Sequence, residues 1–295
     1  MDTEQLNAFV MVAKHGSFSR AAKTLYLSQS AVSKRIATLE QSLKTTLFDR
    51  IGHRIELTEA GQLLLPRAHN ILREILDSRT IIQNLNHQIG GRLRLGTSHH
   101  IGLHRLPPVL RSFTRQFEQV SLEIDFLDSE QACFAIEKGH LELAIVTLPL
   151  KPSPMLNTTP VWTDILKPVV SHAHELSNHT EVTLKQLSEF NAILPAKGTF
   201  TRTVLENAMQ QRHITLKSSL STNYLETIKM MVTVGLGWTI LPVSMHDKEL
   251  KVLKTPQLKL KRQLGIVTHI DRTLSNATQA FIDLLLHKFS SDTHL

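Results

Sequence analysis

The sequence predicts an α+β protein of several domains, and three observations support this fold class. Residues 1–89 show a helical spacing of apolar side chains, interrupted by a short extended stretch around Gly52. Residues 90–295 instead alternate short apolar strands with helical stretches. The chain has 295 residues, of which 41% are hydrophobic, so it is long enough to fold as two or three domains.

The N-terminal segment has the pattern of three short helices. The first ends at Gly16, a residue type that commonly follows a helix. Its apolar residues are Leu6, Phe9, Val10 and Ala13. Ser17 or Ser19 begins the second helix, and Ser28 is a good N-cap for the third. Two short helices joined by a tight turn and followed by a helix with a polar face form a helix-turn-helix.

This segment is also strongly basic. Eight Lys or Arg side chains but only two acidic ones lie between Lys14 and Arg54, in a chain of net charge +7. The polar face of the third helix is expected to enter the major groove, where short hydroxyls approach base edges and cations reach phosphates. Residues 49–57 have the pattern of a hairpin wing with a basic tip, which suits phosphates or a minor groove. The predicted DNA-binding residues are Ser28, Gln29, Ser30, Ser33, Lys34, Arg35, Arg50, His53 and Arg54.

Five motifs in register give residues 6–61 a resemblance to the winged helix-turn-helix of LysR-type transcriptional regulators. The motifs are Phe-Ser-x-Ala-Ala, Ser-Gln-x-Ala-Val-Ser, Leu-Glu, Leu-Phe-x-Arg and Leu-Thr-x-Ala-Gly. The resemblance implies a sequence-specific DNA-binding protein that regulates transcription. Ser30 stands where the family usually has proline, and a base contact is what this departure could change. Lys44 stands where glycine is usual, which leaves open how the recognition helix ends because lysine resists a left-handed conformation.

A long helix is predicted from Glu59 to about Ile89, with Thr58 as its N-cap and a kink at Pro66. Its apolar residues follow alternating spacings of four and three, which is a heptad seam. The seam residues are Leu64, Ala68, Ile71, Ile75, Ser78, Ile82, Leu85 and Ile89. A helix of roughly 45 Å is too long to bury itself against one small domain. The family resemblance likewise implies a homodimer through this linker helix, a homotetramer built as a dimer of dimers, and two operator half-sites on double-stranded DNA.

Residues 90–295 have β-α-β order, which predicts a parallel sheet with covering helices. Helices are expected to begin near Arg105, Ser129, Thr201, Tyr224 and Ser275. The resemblance implies a two-lobed α/β effector domain like that of periplasmic binding proteins, with lobe I at 90–161 and 265–295 and lobe II at 162–264. The predicted organisation is a winged helix-turn-helix at 1–58, a linker and dimerisation helix at 59–89, and an effector-binding domain at 90–295.

The cleft between the lobes is predicted to bind a small anionic metabolite, in particular a carboxylate. Ligands collect at the carboxyl ends of parallel strands, where helix N-termini offer N–H donors to anions. The residues at these positions match the segments that line the family's cleft, and they are Thr97, Ser98, His99, His100, Ser129, Thr147, Thr199, Phe200 and Thr201. A hydroxyl at a helix start is also commonly a plain cap. The two histidines either pair with a carboxylate or hydrogen-bond internally.

No metal site is predicted, because neither His99-His100 nor His172-x-His174 has a nearby cysteine or carboxylate set with metal-site spacing. A fused enzyme fits the sequence less well than a regulator, since the sequence contains no nucleophile elbow, phosphate loop or zinc-protease motif. A purely architectural DNA binder would not need a large α/β module with a hydroxyl-lined cleft.

One cysteine, Cys133, excludes an intramolecular disulfide and suits a reducing compartment. The sequence shows neither a signal peptide nor an apolar run of membrane-spanning length. The sequence therefore predicts a cytoplasmic transcriptional regulator, without enzymatic activity or a cofactor, that is controlled by a small-molecule effector.

Overall fold

The computed structural model describes residues 1–51, 54–85 and 89–289. The chain forms two compact units, Met1–Asn86 and His87–Leu295. The helices and strands of the first unit are α1 (Thr3–His15), α2 (Phe18–Leu25), α3 (Gln29–Leu43), β1 (Phe48–Ile51), β2 (Arg54–Leu57) and α4 (Glu59–Asn84). Those of the second unit are β3 (Gly91–Thr97), α5 (His99–His104), α6 (Leu106–Gln116), β4 (Val120–Phe126), α7 (Ser129–Glu137), β5 (Leu143–Thr147), β6 (Leu156–Ser171), α8 (Leu184–Glu189), β7 (Ala192–Leu194), α9 (Phe200–Gln210), β8 (Ser218–Ser221), α10 (Leu225–Thr233), β9 (Thr239–Pro242), β10 (Leu250–Val252), β11 (Leu260–His269) and α11 (Asn276–Phe289). Within these described ranges, no helix is long and apolar enough to cross a lipid bilayer.

Local capping signals define the helices of the helix-turn-helix. Gly16 ends α1 in the left-handed conformation, with φ of 56°, as its position in the sequence predicts. The hydroxyls of Ser17 and Ser28 accept the N–H groups three residues further on, at 3.3 and 3.2 Å, so both serines are N-caps. The three helices and the β1–β2 hairpin pack around one core, and its fully buried side chains include Ala8, Phe9, Val12, Ala21, Val32, Leu39 and Leu47.

The end of α3 is regular despite the lysine at its C-terminus. Lys44 adopts the left-handed conformation, with φ of 53°. Its N–H donates to the Gln41 carbonyl, and the Thr45 N–H donates to the Glu40 carbonyl, which are the two bonds of a Schellman motif. The question that the lysine raised about the helix end is thus answered by a regular left-handed cap. The left-handed conformation has a steric cost of roughly 1–2 kcal/mol for lysine, whereas glycine adopts it without this cost.

The helix α4 begins where the sequence predicts, but it is shorter. The Thr58 hydroxyl accepts the Gly61 N–H at 3.0 Å, and the helix continues through Pro66. It ends at Asn84 rather than near Ile89, with a tightened i→i−3 bond from the Leu85 N–H to the Ile82 carbonyl. Apolar side chains on this helix and at the residue that follows it are left exposed within the single chain, namely Leu63, Ile71, Leu76, Ile81, Ile82 and Leu85.

A seven-stranded sheet runs through the second unit in the order β10-β6-β11-β5-β3-β4, with β9 also pairing with β6. Strand β3 is parallel to β4 and β5, as the β-α-β order predicts. The prediction of a parallel sheet is wrong for the other strands, because β6 and β11 are antiparallel to each other and β11 is antiparallel to β5. The reason is that β6 and β11 carry the chain between the lobes in opposite directions. A second, two-stranded sheet pairs β7 with β8 in parallel.

Each lobe has one large hydrophobic core and a second, smaller cluster of buried apolar side chains. Trp162 is buried in the core of lobe I and Trp238 in the core of lobe II. Strands β6 and β11 contribute buried side chains to both cores, so the lobes share their two longest strands. This arrangement is a two-lobed α/β domain of the predicted class.

A short helix that the sequence did not predict precedes the helix expected near Arg105. Strand β3 ends at Thr97, and α5 begins two residues later at His99. Helix α6 then starts afresh at Leu106, because the two prolines of its first turn suit the start of a helix and disfavour a helix interior. The additional helix places His100 and His104 four residues apart, on one face of α5.

Candidate functional site

The polar face of α3 presents most of the predicted DNA-reading side chains. Ser28, Gln29, Ser30 and Lys34 are exposed, and Ser33 is half-buried. The Ser28 hydroxyl caps α3 and also lies 3.0 Å from the Ser30 hydroxyl. Ser30, which replaces the usual proline, is therefore joined to the helix cap while it remains accessible to solvent.

The Gln29 side chain is held in one orientation by the preceding helix. The Ser19 hydroxyl donates to the Gln29 Oε1 atom at 2.8 Å. This bond leaves the amide N–H groups of Gln29 as donors, which suit the N7 and O6 acceptors of guanine or a phosphate oxygen. Tyr26 is 96% exposed beside this face. Neither Ser19 nor Tyr26 was predicted, because their position next to α3 depends on how α2 and α3 cross.

The basic residues of the segment have different surroundings. The Arg35 guanidinium is 2.6 Å from the Glu4 carboxylate on α1, so its charge is partly committed within the unit. Residues Arg50 and Arg54 lie on the antiparallel strands β1 and β2, but their side chains, like the whole of His53, fall outside what the structure describes. Lys34, by contrast, is exposed on α3, and its ammonium group forms no ion pair with the described residues.

A cleft lies between the lobes, with an empty volume of about 470 Å³ that includes its open mouth. Its lining contains seven of the predicted effector residues, namely Ser98, His99, His100, Ser129, Thr147, Thr199 and Thr201. The lining residues that were not predicted are Asp128, Glu130, Pro195, Asn223, Leu225 and Arg262. Thr97 and Phe200 do not belong to this lining: the buried Thr97 hydroxyl donates to the Ile145 carbonyl at 2.8 Å, and Phe200 contributes its backbone N–H to a contact described below.

The hydroxyls of the cleft differ in how far they are already bonded. Ser129 Oγ accepts the Thr147 N–H at 3.2 Å, and the Thr199 hydroxyl donates to the Ala196 carbonyl at 2.9 Å. By contrast, Ser98 is the N-cap of α5 but its side chain makes no capping hydrogen bond within the described part of the chain. The Ser98 hydroxyl is therefore not committed to capping the helix that it precedes.

Two acidic side chains of lobe I bond to lobe II across the cleft. Asp128 accepts the Asn223 amide at 2.7 Å. Glu130 accepts the backbone N–H of Phe200, the first residue of α9. Burial raises the pKa of the Glu130 carboxyl, and the Phe200 N–H opposes this effect. A carboxylate at a helix N-terminus is a favourable arrangement, since the first N–H groups lack partners within the helix.

A buried ion-pair network joins the two long strands beside the cleft. Arg262 on β11 lies directly opposite Asp164 on β6 and donates to the Asp164 carboxylate from Nε at 3.1 Å and Nη2 at 2.8 Å. Its Nη1 donates to the Thr201 hydroxyl at 2.8 Å, and Arg105 donates to the other carboxylate oxygen at 3.0 Å. Burial alone would raise the pKa of Asp164, but the nearby His100 ring and the Arg262 guanidinium together hold it well below its usual range.

Three potential metal ligands meet where α5 approaches the first turn of α10. His104 Nε2 is 3.1 Å from Glu226 Oε1, and His100 Nδ1 is 3.9 Å from the same oxygen. The pKa of Glu226 is lowered to about 2, chiefly by the His100 ring and also by the backbone N–H of Glu226 and by His104, against the opposing effect of burial. His99 faces a different way, with its ring 5.0 Å from Phe126 and 4.6 Å from Tyr224 between centroids.

The helix-turn-helix, its wing and the two-lobed domain with a polar cleft together define a DNA-binding regulator with a ligand-binding domain. Residues 3–62 match the family described as bacterial regulatory helix-turn-helix protein, lysR family, and residues 86–290 match the LysR substrate binding domain. The chain belongs to the LysR family. It is a DNA-binding transcriptional regulator with an effector-binding domain, and it is not an enzyme.

Two relatives illustrate the range of similarity. An uncharacterized HTH-type transcriptional regulator from the ibpB-leuC intergenic region of Azotobacter vinelandii is 60% identical over 108 residues, which cover 37% of this chain and 75% of that protein. A probable RuBisCO transcriptional regulator of Synechocystis sp. is 30% identical over 298 residues, which cover 98% of this chain and 86% of that protein.

Solved structures of the family share the fold. Full-length OxyR from Pseudomonas aeruginosa, in a variant form, gives a TM-score of 0.71 at 22% identity, covering 97% of this chain and 94% of that one. CbnR complexed with its target DNA gives 0.63 at 18% identity, covering 97% and 99%. The effector binding domain of QuiR in complex with shikimate gives 0.63 at 19% identity, covering 70% and 100%.

Proposed function

We propose that this protein is a cytoplasmic regulator that senses a small carboxylate bound between its lobes, and that the bound effector changes its action at two operator half-sites. The observation that carries the proposal is the Glu130 carboxylate at the N-terminus of α9. This position already holds an anion from the protein itself, and an effector carboxylate that displaced it would meet the same N–H donor and the nearby Ser98 hydroxyl.

Displacement of Glu130 would break one of the bonds that join the lobes. The Asp128–Asn223 bond would remain, so the lobes would reorient rather than separate. We infer that this change alters the relative placement of subunits, and with it the bending of DNA or the choice of half-site. The QuiR domain, which was solved with shikimate, provides a relative of the same fold that binds a carboxylate.

The acidic lining favours a second class of effector. Asp128 and Glu130 both face the cleft, while the Arg262 charge is already paired with Asp164. An effector with a cationic group, such as an amino acid, would place that group near these two carboxylates while its own carboxylate meets Ser98. Amino acids and simple carboxylates therefore form the two arms of the ligand screen.

The screen is a thermal-unfolding measurement on the full-length protein with carboxylates, hydroxy acids, amino acids and the corresponding amides and amines. A ligand that binds only the folded state raises the unfolding temperature. We expect carboxylates to stabilise the protein and their uncharged amides to have no effect. Stabilisation by amides or by amines alone would contradict a carboxylate site.

Substitution of Ser98 then tests the location of the site. A hydrogen bond to a charged group contributes about 1.5–3 kcal/mol, so Ser98→Ala should weaken effector binding by about tenfold or more in calorimetric titrations. Ser219→Ala, on the exposed strand β8, is the matched control and should bind normally. Thr201→Ala has a different expected effect, because it leaves Arg262 Nη1 without its partner and lowers stability. Native-like effector affinity in Ser98→Ala would place the ligand elsewhere.

We also propose that α4 forms a homodimer, and that dimers associate into the tetramer typical of the family. The support is the apolar seam, since Ile71, Ile82 and Leu85 are exposed in the single chain. Ile75→Asp places a charge in this seam and should reduce both dimer formation and DNA affinity. Thr80→Asp adds the same charge on the opposite side of the helix and serves as the control. An unchanged mass for Ile75→Asp in light scattering would assign dimerisation to another surface.

A further inference from the structure

We propose that His100, His104 and Glu226 form a binding site for a divalent transition-metal ion, with Zn²⁺ as the preferred ion. The two histidines come from α5 in lobe I, and the glutamate comes from the first turn of α10 in lobe II. Of the three residues only His100 also lines the cleft. The site goes beyond effector sensing, because it uses a chemistry that a carboxylate effector does not require.

The spacing of the ligand atoms fits a single metal ion. One ligand atom from each of the three residues lies within 4.8 Å of the others, and the measured separations from Glu226 Oε1 are 3.1 Å to His104 and 3.9 Å to His100. Ligands bound at about 2.0–2.1 Å in a tetrahedron lie about 3.3 Å apart. The His104–Glu226 separation is close to this value, and the longer His100–Glu226 separation requires small rotations of the side chains to reach it.

The His100 side chain provides an independent observation. It is only 5% exposed, and neither of its ring nitrogens has a hydrogen-bond partner among the described residues. Both nitrogens lie near carboxylates, but at distances too long for hydrogen bonds, and a buried polar group without a hydrogen bond is costly. A metal ion on Nδ1 would satisfy one nitrogen of this ring directly.

The second nitrogen of His100 faces a carboxylate, as in many metal sites. Its Nε2 is 3.6 Å from Asp164 Oδ2. Metal-binding histidines commonly direct their other N–H to a carboxylate, which fixes the tautomer and the orientation of the ring. Asp164 is itself fixed by Arg105 and Arg262, so it is a positioning residue for His100.

The chemistry and accessibility of the cluster favour zinc. Two imidazoles and one carboxylate are a recognised set of three protein ligands for Zn²⁺, in which water or another donor takes the fourth position. Such a set does not suit Ca²⁺ or Mg²⁺, which prefer oxygen ligands. His104 and Glu226 are 40% and 37% exposed at their side chains, so an ion can enter and a fourth ligand can bind.

Metal binding would fasten the lobes together through α5 and α10. The sequence could not indicate this, because His104 and Glu226 are 122 residues apart. The expectation of no metal site rested on spacing within short segments. The ion and the effector would thus act on the same interlobe arrangement from neighbouring positions.

The test uses full-length protein without an affinity tag, freed of metal by a chelator. Co²⁺ is added first, because its visible spectrum distinguishes tetrahedral from octahedral coordination. Zn²⁺ affinity is then measured by competition with a chromogenic chelator. We expect one tetrahedral Co²⁺ per chain, displaced by Zn²⁺, and a higher unfolding temperature in the presence of Zn²⁺.

Three variants locate the ion. His104→Gln and Glu226→Gln should each weaken Zn²⁺ binding by at least about tenfold, since loss of even an outer-shell partner costs 10–100-fold. His179→Gln removes an exposed histidine elsewhere on lobe II and should have no effect. Zinc affinity equal to wild type in His104→Gln and Glu226→Gln would overturn the proposal and assign binding to others of the 16 histidines. An octahedral Co²⁺ spectrum of the wild-type protein would overturn it even if a variant failed to fold.

Discussion

The replacement Asp164→Asn tests how the two long strands are held together beside the cleft. It keeps the size of the side chain but removes a charge that is shared by Arg262 and Arg105. The Asp164 and Arg262 side chains are only 1% and 4% exposed, so solvent cannot replace the missing carboxylate. The substitution leaves a buried guanidinium without its counter-ion.

The expected loss of stability follows from this burial. Removing one partner of a buried ion pair typically lowers the free energy of unfolding by about 3–5 kcal/mol. The matched control is Asp125→Asn in lobe I, which removes the partner of Arg94 at a solvent-exposed site. An exposed pair contributes at most about 1 kcal/mol, so the control should be nearly neutral.

Urea unfolding followed by tryptophan fluorescence provides the assay. The chain has two tryptophans, Trp162 in the core of lobe I and Trp238 in the core of lobe II, so the signal reports the two-lobed domain and not the DNA-binding unit. The free energy comes from the midpoint and the slope of the transition. Equal losses below about 1 kcal/mol in Asp164→Asn and Asp125→Asn would refute the reasoning from buried charge.

Three further predictions concern single residues. Lys34→Ala should weaken operator binding and reduce the slope of log K against log[salt] by about one unit. Arg35→Ala should change this slope less, because the Arg35 guanidinium is already paired with Glu4. Fluorescence anisotropy across a salt series measures both effects. Lys44→Gly should stabilise α3 by about 1 kcal/mol because it relieves a left-handed lysine, and slower amide exchange would show this. Burial, with the charges of Glu130 and Glu137, raises the pKa of Cys133 to about 12. The native protein should therefore resist alkylation until urea exposes the thiol. Rapid labelling without urea would contradict this prediction.

Features that depend on neighbouring residues could be predicted from the sequence. The caps at Ser28 and Thr58 and the end of α1 at Gly16 follow from side chains within a few positions of the helix ends. The apolar spacing likewise predicted most of the helices and strands, although it missed the short helices α5 and α8. Hydroxyls at strand ends also led to Ser98 and Thr199, which the fold does bring to one cleft.

Features that depend on distant pairing could not be predicted. Arg262 and Asp164 are 98 residues apart, and only the antiparallel register of β6 and β11 places them opposite each other. The role expected for Thr201 changes for the same reason, because its hydroxyl meets Arg262 from a helix 61 residues away. The same applies to Glu130, since nothing local indicates that it bonds the first N–H of α9.

The central claim is that occupancy of the interlobe cleft is coupled to DNA binding. The most direct measurement compares effector affinity, by calorimetry, for the free full-length protein and for the same protein saturated with operator DNA. Thermodynamic linkage requires that DNA change effector affinity by the same factor by which effector changes DNA affinity. We predict equal factors that differ from one, and an effector affinity that is identical in the presence and absence of operator DNA would contradict the account.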